Sequence, residues 1–178
     1  VTAGDNIGIG RSAGRGYHGV GQTEFQSNTT ARYNVSIGSF ASNRVIGTAN
    51  IHIGYKAGMN ASGSNNTFMG YEAGLGGTTS APFSSAQHNT AIGYQALTAF
   101  TSGFGRNVAI GYQAAVASTT GRDNVIIGYE AGHDITSTVE TVLIGSFAGS
   151  KLNSTDADGT VAIGMNALAT ATDAQRNV

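Results

Sequence analysis

Apolar residues recur along this chain in short bursts, without the three-and-four spacing of an amphipathic helix. Each burst reads apolar, variable, apolar and runs into a glycine, as in Val35-Ser-Ile-Gly38, Ile51-His-Ile-Gly54 and Val108-Ala-Ile-Gly111. Taking that glycine as position 0, the bursts fall at Gly10, Gly38, Gly54, Gly70, Gly93, Gly111, Gly128, Gly145 and Gly164. Position −1 is Ile in eight of the nine and Met69 in the other, and position +3 is Ala in all nine. Position −4 is Asn in seven, with Thr141 and Thr160 in the other two. The chain is therefore nine copies of Asn-(Val/Ile/Thr)-x-Ile-Gly-x-x-Ala, a repeat architecture.

The copies are 28, 16, 16, 23, 18, 17, 17 and 19 residues apart. Sixteen residues are too few for a helical repeat. Fixed glycines and β-branched residues also disfavour helix. The spacing predicts an all-β chain, a parallel β-solenoid of about nine coils forming a rod roughly 40 Å long at ~4.8 Å per coil. The 28- and 23-residue intervals place insertions near residues 15–33 and 75–88, the second containing Pro82. The whole of 1–178 reads as one repeat domain.

Side chains alternate along a strand, so positions −3 and −1 share a face. They are expected to form the inner ladder, opposite the small Ala at +3. Position −2 then points outward, yet Phe68, Ala91, Ala109, Ile126, Leu143 and Ala162 make six of its nine residues apolar. A strand that is apolar on both faces is covered on both. Phe68, Ile126 and Leu143 are accordingly expected at a contact with an identical chain. The Gly at 0 suits a backbone angle or an approach that a Cβ would block. The Asn at −4 tolerates left-handed geometry and can bond along the stack. Position +1 is Tyr in five consecutive copies, Tyr55, Tyr71, Tyr94, Tyr112 and Tyr129. Such a row is either aromatic stacking with wet hydroxyls or a stripe that contacts sugar or lipid. Beside it at +2, Glu72, Gln95, Gln113 and Glu130 read as a solvated row.

Composition narrows the functional classes. Only 11% of residues are charged and the net charge is −1, which gives a nucleic acid nothing to bind. Cys is absent, removing disulfides, thiolate metal sites and cysteine nucleophiles, and fitting a protein outside the cell or in a virion. Apolar runs stay well short of a membrane span. The chain starts at Val1, and Arg176-Asn177-Val178 repeats Arg106-Asn107-Val108, so a segment of a longer polypeptide is expected.

Candidate chemistry is sparse. His18, His52, His88 and His133 pair with no acid in a repeated context, and the match of Gly14–Gly19 to a dinucleotide fingerprint lacks a strand-to-helix context. The run Ser154 to Gly159 resembles the start of a calcium loop but lacks the closing acid, and reads as an Asp-Gly turn. No catalytic residue, metal or cofactor is assigned. Because each coil repeats its neighbour, recognition is expected where the repeat is interrupted. Tyr17, His18, Phe25, Arg32 and Tyr33 in the first insertion, and Phe83 and His88 in the second, are the candidate binding residues.

The runs Asn89-Thr-Ala-Ile-Gly-Tyr-Gln-Ala-Leu97 and Asn107-Val-Ala-Ile-Gly-Tyr-Gln-Ala114 resemble the head repeats of YadA-like trimeric autotransporter adhesins, and look closer still to related repeats in phage tail fibres. The resemblance runs from Asn6 to Ala167. It implies a left-handed parallel β-roll assembled as a homotrimer on a virion or a bacterial surface. The coils here are longer than the adhesin repeat, and the adhesin anchor and the fibre chaperone domain are not in this segment. The expected function is a structural and adhesive fibre segment, first as a phage tail fibre that meets a host-surface glycan or protein. The alternatives are a bacterial adhesin or extracellular filament and, more remotely, a glycan-degrading solenoid enzyme.

Overall fold

A computed structural model describes residues 5–15, 31–44, 47–77, 84–101, 105–152, 157–172 and 174. Each motif forms one three-residue strand: β1 (Ile7–Ile9), β2 (Val35–Ile37), β3 (Ile51–Ile53), β4 (Thr67–Met69), β5 (Thr90–Ile92), β6 (Val108–Ile110), β7 (Val125–Ile127), β8 (Val142–Ile144) and β9 (Val161–Ile163). They stack in chain order in one parallel sheet, with every motif position on its own equivalent in the next coil. No α-helix occurs among the described residues. The winding is a β-solenoid of about seven turns, fewer than the nine coils expected from nine motifs. Nine strands bound only eight intervals, and most of the longest, residues 16–30, lies outside the described part. Among the described residues the second half of the coil forms no further strand, only isolated parallel bridges at Ala61–Ser84 and Arg122–Val139.

The face that fills the coil is the opposite of the one expected. The −2 residues Ser36, His52, Phe68, Ala91, Ala109, Ile126, Leu143 and Ala162 are buried, while the −3 and −1 rows are half-buried or exposed. Phe68, Ile126 and Leu143, expected at a subunit contact, are wholly buried inside their own coils. The Ala at +3 is in the core as expected, from Ala41 to Ala148.

The reason is the size of the coil. The part of its interior between positions −2 and +4 accepts about one large side chain per turn, while Phe100, Ile135 and Leu152 fill the space beyond it. Where −2 is His52, Phe68, Ile126 or Leu143, position +4 is Gly58, Gly74, Gly132 or Gly149. Where −2 is Ala91 or Ala109, position +4 is Leu97 or Ala115, both buried. A Cβ on Gly58 would lie 2.3 Å from the His52 ring, and one on Gly74 would lie 2.5 Å from the Phe68 ring. The two positions are one packing site.

The turn after each strand is built on alternating handedness. Positions 0, +2 and +4 all have positive φ: Gly93, Gln95 and Leu97 at 131°, 52° and 52°, for example. The amides at 0 and +2 then point back along the rod and the amide at +4 points forward. Gln95 donates back to the Tyr71 carbonyl at 2.9 Å, and Leu97 donates forward to the Ala114 carbonyl at 3.0 Å. The turn thus keeps pairing with both neighbours. Gly at 0 is required twice, since its φ lies near +130° and a Cβ on Gly93 would stand 2.3 Å from the Gly111 carbonyl oxygen.

The asparagine column bonds along the stack as expected. Asn107 Nδ2 donates to Asn89 Oδ1 at 3.1 Å, and Asn107 Oδ1 accepts from the Asn124 backbone amide at 3.2 Å. The left-handed residue is not this Asn but the one before it, at −5: Tyr33, Ala49, Asn65, His88, Arg106, Asp123 and Glu140. The Asn oxygen instead caps the amide of the next coil, which Asn34, Asn50, Asn66, Asn89, Asn107 and Asn124 all do. Thr141 and Thr160 end the column by donating their hydroxyls to the carbonyls of Ala157 and Ala174.

Candidate functional site

Three surfaces and one buried pair remain as places where this rod can do chemistry. The first surface is the outer face of the sheet. Positions −3 and −1 align from β1 to β9 as two parallel rows of Val, Ile, Thr and Met. Away from the ends of the stack Ile51 and Met69 are each 41% exposed, and at the end Ile163 is 66% exposed. The result is a continuous aliphatic strip along the rod.

The second surface lies one residue beyond the turning glycine. Tyr55, Tyr71, Tyr94, Tyr112 and Tyr129 form an unbroken stack with ring centroids 5.1, 5.2, 5.1 and 5.0 Å apart. The planes of the last three lie within 8° of parallel, and each ring stays 39–47% exposed. Phe40 and Phe147 close the stack edge-on. The coil spacing imposes this geometry, because in-register parallel strands place identical side chains directly over one another.

Beside the rings runs a polar ladder rather than a freely solvated row. Lys56 Nζ bonds Glu72 Oε1 at 3.3 Å, Gln95 Nε2 donates to Glu72 Oε2 at 3.0 Å, and Gln113 Nε2 donates to Gln95 Oε1 at 3.0 Å. The Glu72 hydrogen bond raises the Lys56 pKa. A hydrogen bond to Glu130 raises the Tyr129 pKa above its ordinary value, which keeps that phenol protonated. Farther round the coil, Arg106 pairs with Asp123 at 2.5 Å and Lys151 with Asp134 at 2.7 Å. The Arg106 and Lys151 hydrogen bonds hold these two carboxyls below the usual range.

The buried pair has the look of a nucleophile and its base. Ser42 Oγ lies 2.7 Å from His52 Nδ1. Both are sealed in the core, and His52 stacks on Phe68 at a centroid distance of 4.8 Å. Burial lowers the His52 pKa to about 3, so the ring is neutral. Glu72 and Glu130 stand three coils apart, roughly 14 Å at the spacing of stacked strands. Paired carboxylates that cleave glycosidic bonds stand closer than that. No group of three or more metal-ligating side chains occurs among the described residues. Asp158 accepts the Val139 amide at 2.7 Å, and Gly159 follows at φ 73°, so this stretch behaves as an Asp-Gly turn.

Of the residues expected to bind a receptor, Tyr17, His18, Phe25 and Phe83 lie outside the described residues. Arg32, Tyr33 and His88 are exposed, with Tyr33 and His88 both at the left-handed −5 position. His88 Nε2 lies 3.4 Å from Asn65 Nδ2, a bond between equivalent positions of adjacent coils. Tyr33 and His88 therefore stand in one longitudinal column of the rod, three coils apart. Comparison with known protein families, curated proteins and solved structures finds no match.

Proposed function

We propose that this chain is a rod segment of a homotrimeric extracellular fibre, in the first instance the shaft of a phage tail fibre. The aliphatic strip carries this reading. It is two side chains wide and roughly 40 Å long, and contiguous apolar patches of several hundred Å² on a soluble surface mark interaction sites. A second copy matches it in length and spacing, because both strips have the same coil repeat. The resemblance of the motif to trimeric adhesin heads and tail-fibre repeats supplies the copy number, the left hand of the roll and the setting on a virion or cell surface. Three narrow rods, each with one apolar strip, close around a common axis and leave their tyrosine stacks and loops outside. A bacterial surface adhesin or extracellular filament is the second reading, favoured by the same strip. Antibody raised against the chain separates the two by decorating virion tails or cell surfaces. An enzymatic role has the weakest support, since the Ser42–His52 pair is sealed and the two ladder carboxylates are far apart.

The decisive test is mass in solution. Light scattering of the chain should give three times 18.0 kDa. Ile110→Asp combined with Ile127→Asp, both on the outer strip, should yield a folded monomer with unchanged far-ultraviolet circular dichroism. Leu143→Asp should instead unfold its coil, because it buries an unpaired charge. A wild-type chain that stays monomeric at tens of micromolar would remove the proposal.

A further inference from the structure

We infer that the tyrosine ladder is a binding track for an extended β-1,4-linked glycan, lying along the rod with one sugar on each coil. The inference rests on the fibre reading only in taking this flank of the rod as accessible, and it names the ligand class that the flank would take.

The first argument is the repeat. Five phenols recur with successive ring centroids 5.0–5.2 Å apart. That is the rise per sugar of a fully extended β-1,4-linked chain, so one phenol can meet each of five consecutive sugars without either partner bending. An extended peptide does not match: its residues advance ~3.3 Å, so side chains on one face recur at about 6.6 Å. A nucleic-acid backbone is opposed by the carboxylates of Glu72 and Glu130 beside the rings and by the net charge of −1.

The second argument is the chemistry presented. The ring faces are covered by one another, so a ligand meets ring edges and hydroxyls. A phenol hydroxyl both donates and accepts. Successive sugars in a β-1,4 chain are flipped and offer their two edges alternately, and a group of either sense serves both. The amides of Gln95 and Gln113 and the carboxylates of Glu72 and Glu130 run alongside at the same repeat and extend the contact to a second line of sugar hydroxyls.

The third argument is preorganisation. Each ring is held between its neighbours, and the polar row is locked by its own hydrogen bonds from Lys56 to Gln113. Little side-chain freedom is lost when a ligand settles, which favours binding through many weak contacts.

The chain has no Trp, so its intrinsic emission comes from seven tyrosines, five of which form the ladder. Emission and calorimetry would be followed on the full chain during titration with cello-oligosaccharides and chito-oligosaccharides of two to six sugars. Malto-oligosaccharides, which are α-linked and helical, serve as control. Affinity should rise with length up to five sugars and level off at six, with no response to the malto series. Preference between the cello and chito series identifies a plain or an N-acetylated glycan. The triple variant Tyr71→Phe, Tyr94→Phe, Tyr112→Phe keeps the stack and removes three hydroxyls. It should bind at least ~10-fold more weakly, as three lost hydrogen bonds require, with melting temperature and mass unchanged. No binding of either β-linked series at millimolar concentration would overturn the inference. So would equal binding of the malto series, affinity independent of length, or a triple variant that binds as well as wild type. A change in oligomeric mass on removing the hydroxyls would overturn it too, by placing the ladder at a subunit contact. A monomer that binds would leave this inference standing and remove the trimer, whereas a trimer that does not bind would do the reverse.

Discussion

Exchanging the sizes of residues 68 and 74 tests the packing logic of the coil. Phe68 is wholly buried between the His52 ring at 4.8 Å and the Phe100 ring at 5.5 Å. Phe68→Ala should cost about 3–5 kcal/mol through lost transfer energy and a cavity. Gly74→Leu drives a Cβ to 2.5 Å from that ring at a φ of +55°. It should cost about 1–3 kcal/mol for overpacking, with a further ~1–2 kcal/mol for placing a branched residue in the left-handed region. Independent sites would sum to about 5–10 kcal/mol. The double variant Phe68→Ala, Gly74→Leu recreates the pair Ala91 and Leu97 of the next coil, where a leucine already sits at φ 52°. The new leucine should fill the space the phenylalanine left. The remaining cost is the left-handed strain and the lost ring contacts, roughly 2–4 kcal/mol. Urea denaturation of the wild type, both single variants and the double variant gives the coupling energy directly. A favourable coupling of about 3 kcal/mol or more is expected. Additivity within ~0.5 kcal/mol would refute the idea that the two positions share one cavity.

Acid should weaken the rod through His52. Its folded pKa of about 3 lies below the ordinary 6.5. The unfolded chain therefore binds the extra proton between these values, and stability present above pH 6.5 is lost as pH falls, by up to ~1.4 kcal/mol per unit. Denaturation midpoints at pH 7, 5 and 4 should show this slope in the wild type but not in His52→Phe combined with Ser42→Gly: the first change, with the existing Gly58, copies the Phe68 and Gly74 pair, and the second removes the hydroxyl that would lose its partner. Ala49 is exposed at φ 57°. Ala49→Gly should be neutral to stabilising by up to about 1 kcal/mol, since relief of the left-handed strain outweighs the added chain entropy; a lower melting temperature would contradict this. Asn107→Ala removes the donor to Asn89 Oδ1 and to the Gly121 carbonyl, and the acceptor for the Asn124 amide. Asn89 Oδ1 keeps the Asn107 backbone amide, so two buried groups, the Gly121 carbonyl and the Asn124 amide, are orphaned, at a cost of about 2–5 kcal/mol; a loss under 1 kcal/mol, read from the same denaturation curves, would show that the column is ornamental.

The repeat, the strand positions and the parallel stacking were legible because nine copies of one motif repeat the same short-range signals. The Ala at +3 and the asparagine column followed from size and hydrogen-bonding capacity. The side of the strand that fills the coil did not follow. With Ile110 on one face and Ile126 of the next coil on the other, alternation identifies two apolar faces but cannot rank them. The signal that ranks them lies in another part of the motif: Gly at +4 accompanies a large residue at −2, and Leu97 accompanies Ala91. Only residues that share a cavity trade volume in this way. The residue in left-handed geometry was also misplaced, at Asn rather than one position earlier. Asn tolerates that geometry, but here its side chain is occupied in capping the next coil, and residues as dissimilar as Tyr33, Ala49 and Glu140 take the left-handed position instead.

Comparing the nine coils with one another leads to a statement about assembly. Inside the rod, position −2 ranges from Ala91 to Phe68, with +4 adjusting to it. Outside, position −3 is always Val, Ile or Thr and position −1 always Ile or Met69. A monomeric solenoid would be under the opposite demand, with a fixed interior and a surface free to carry any polar residue. A uniform, largely β-branched outer strip serves the sheet's own in-register packing and, under the fibre reading proposed above, suits a partner that is itself uniform along the rod. Another rod of the same coil spacing is such a partner. The same reasoning bears on the tyrosine ladder, which is identical over five coils, from Tyr55 to Tyr129, and then ceases at Ser146. On half-exposed rings the hydroxyl at every step keeps the outer edge of the stack wet, which Phe would not do. A ligand that is itself a polymer of identical units also has use for one.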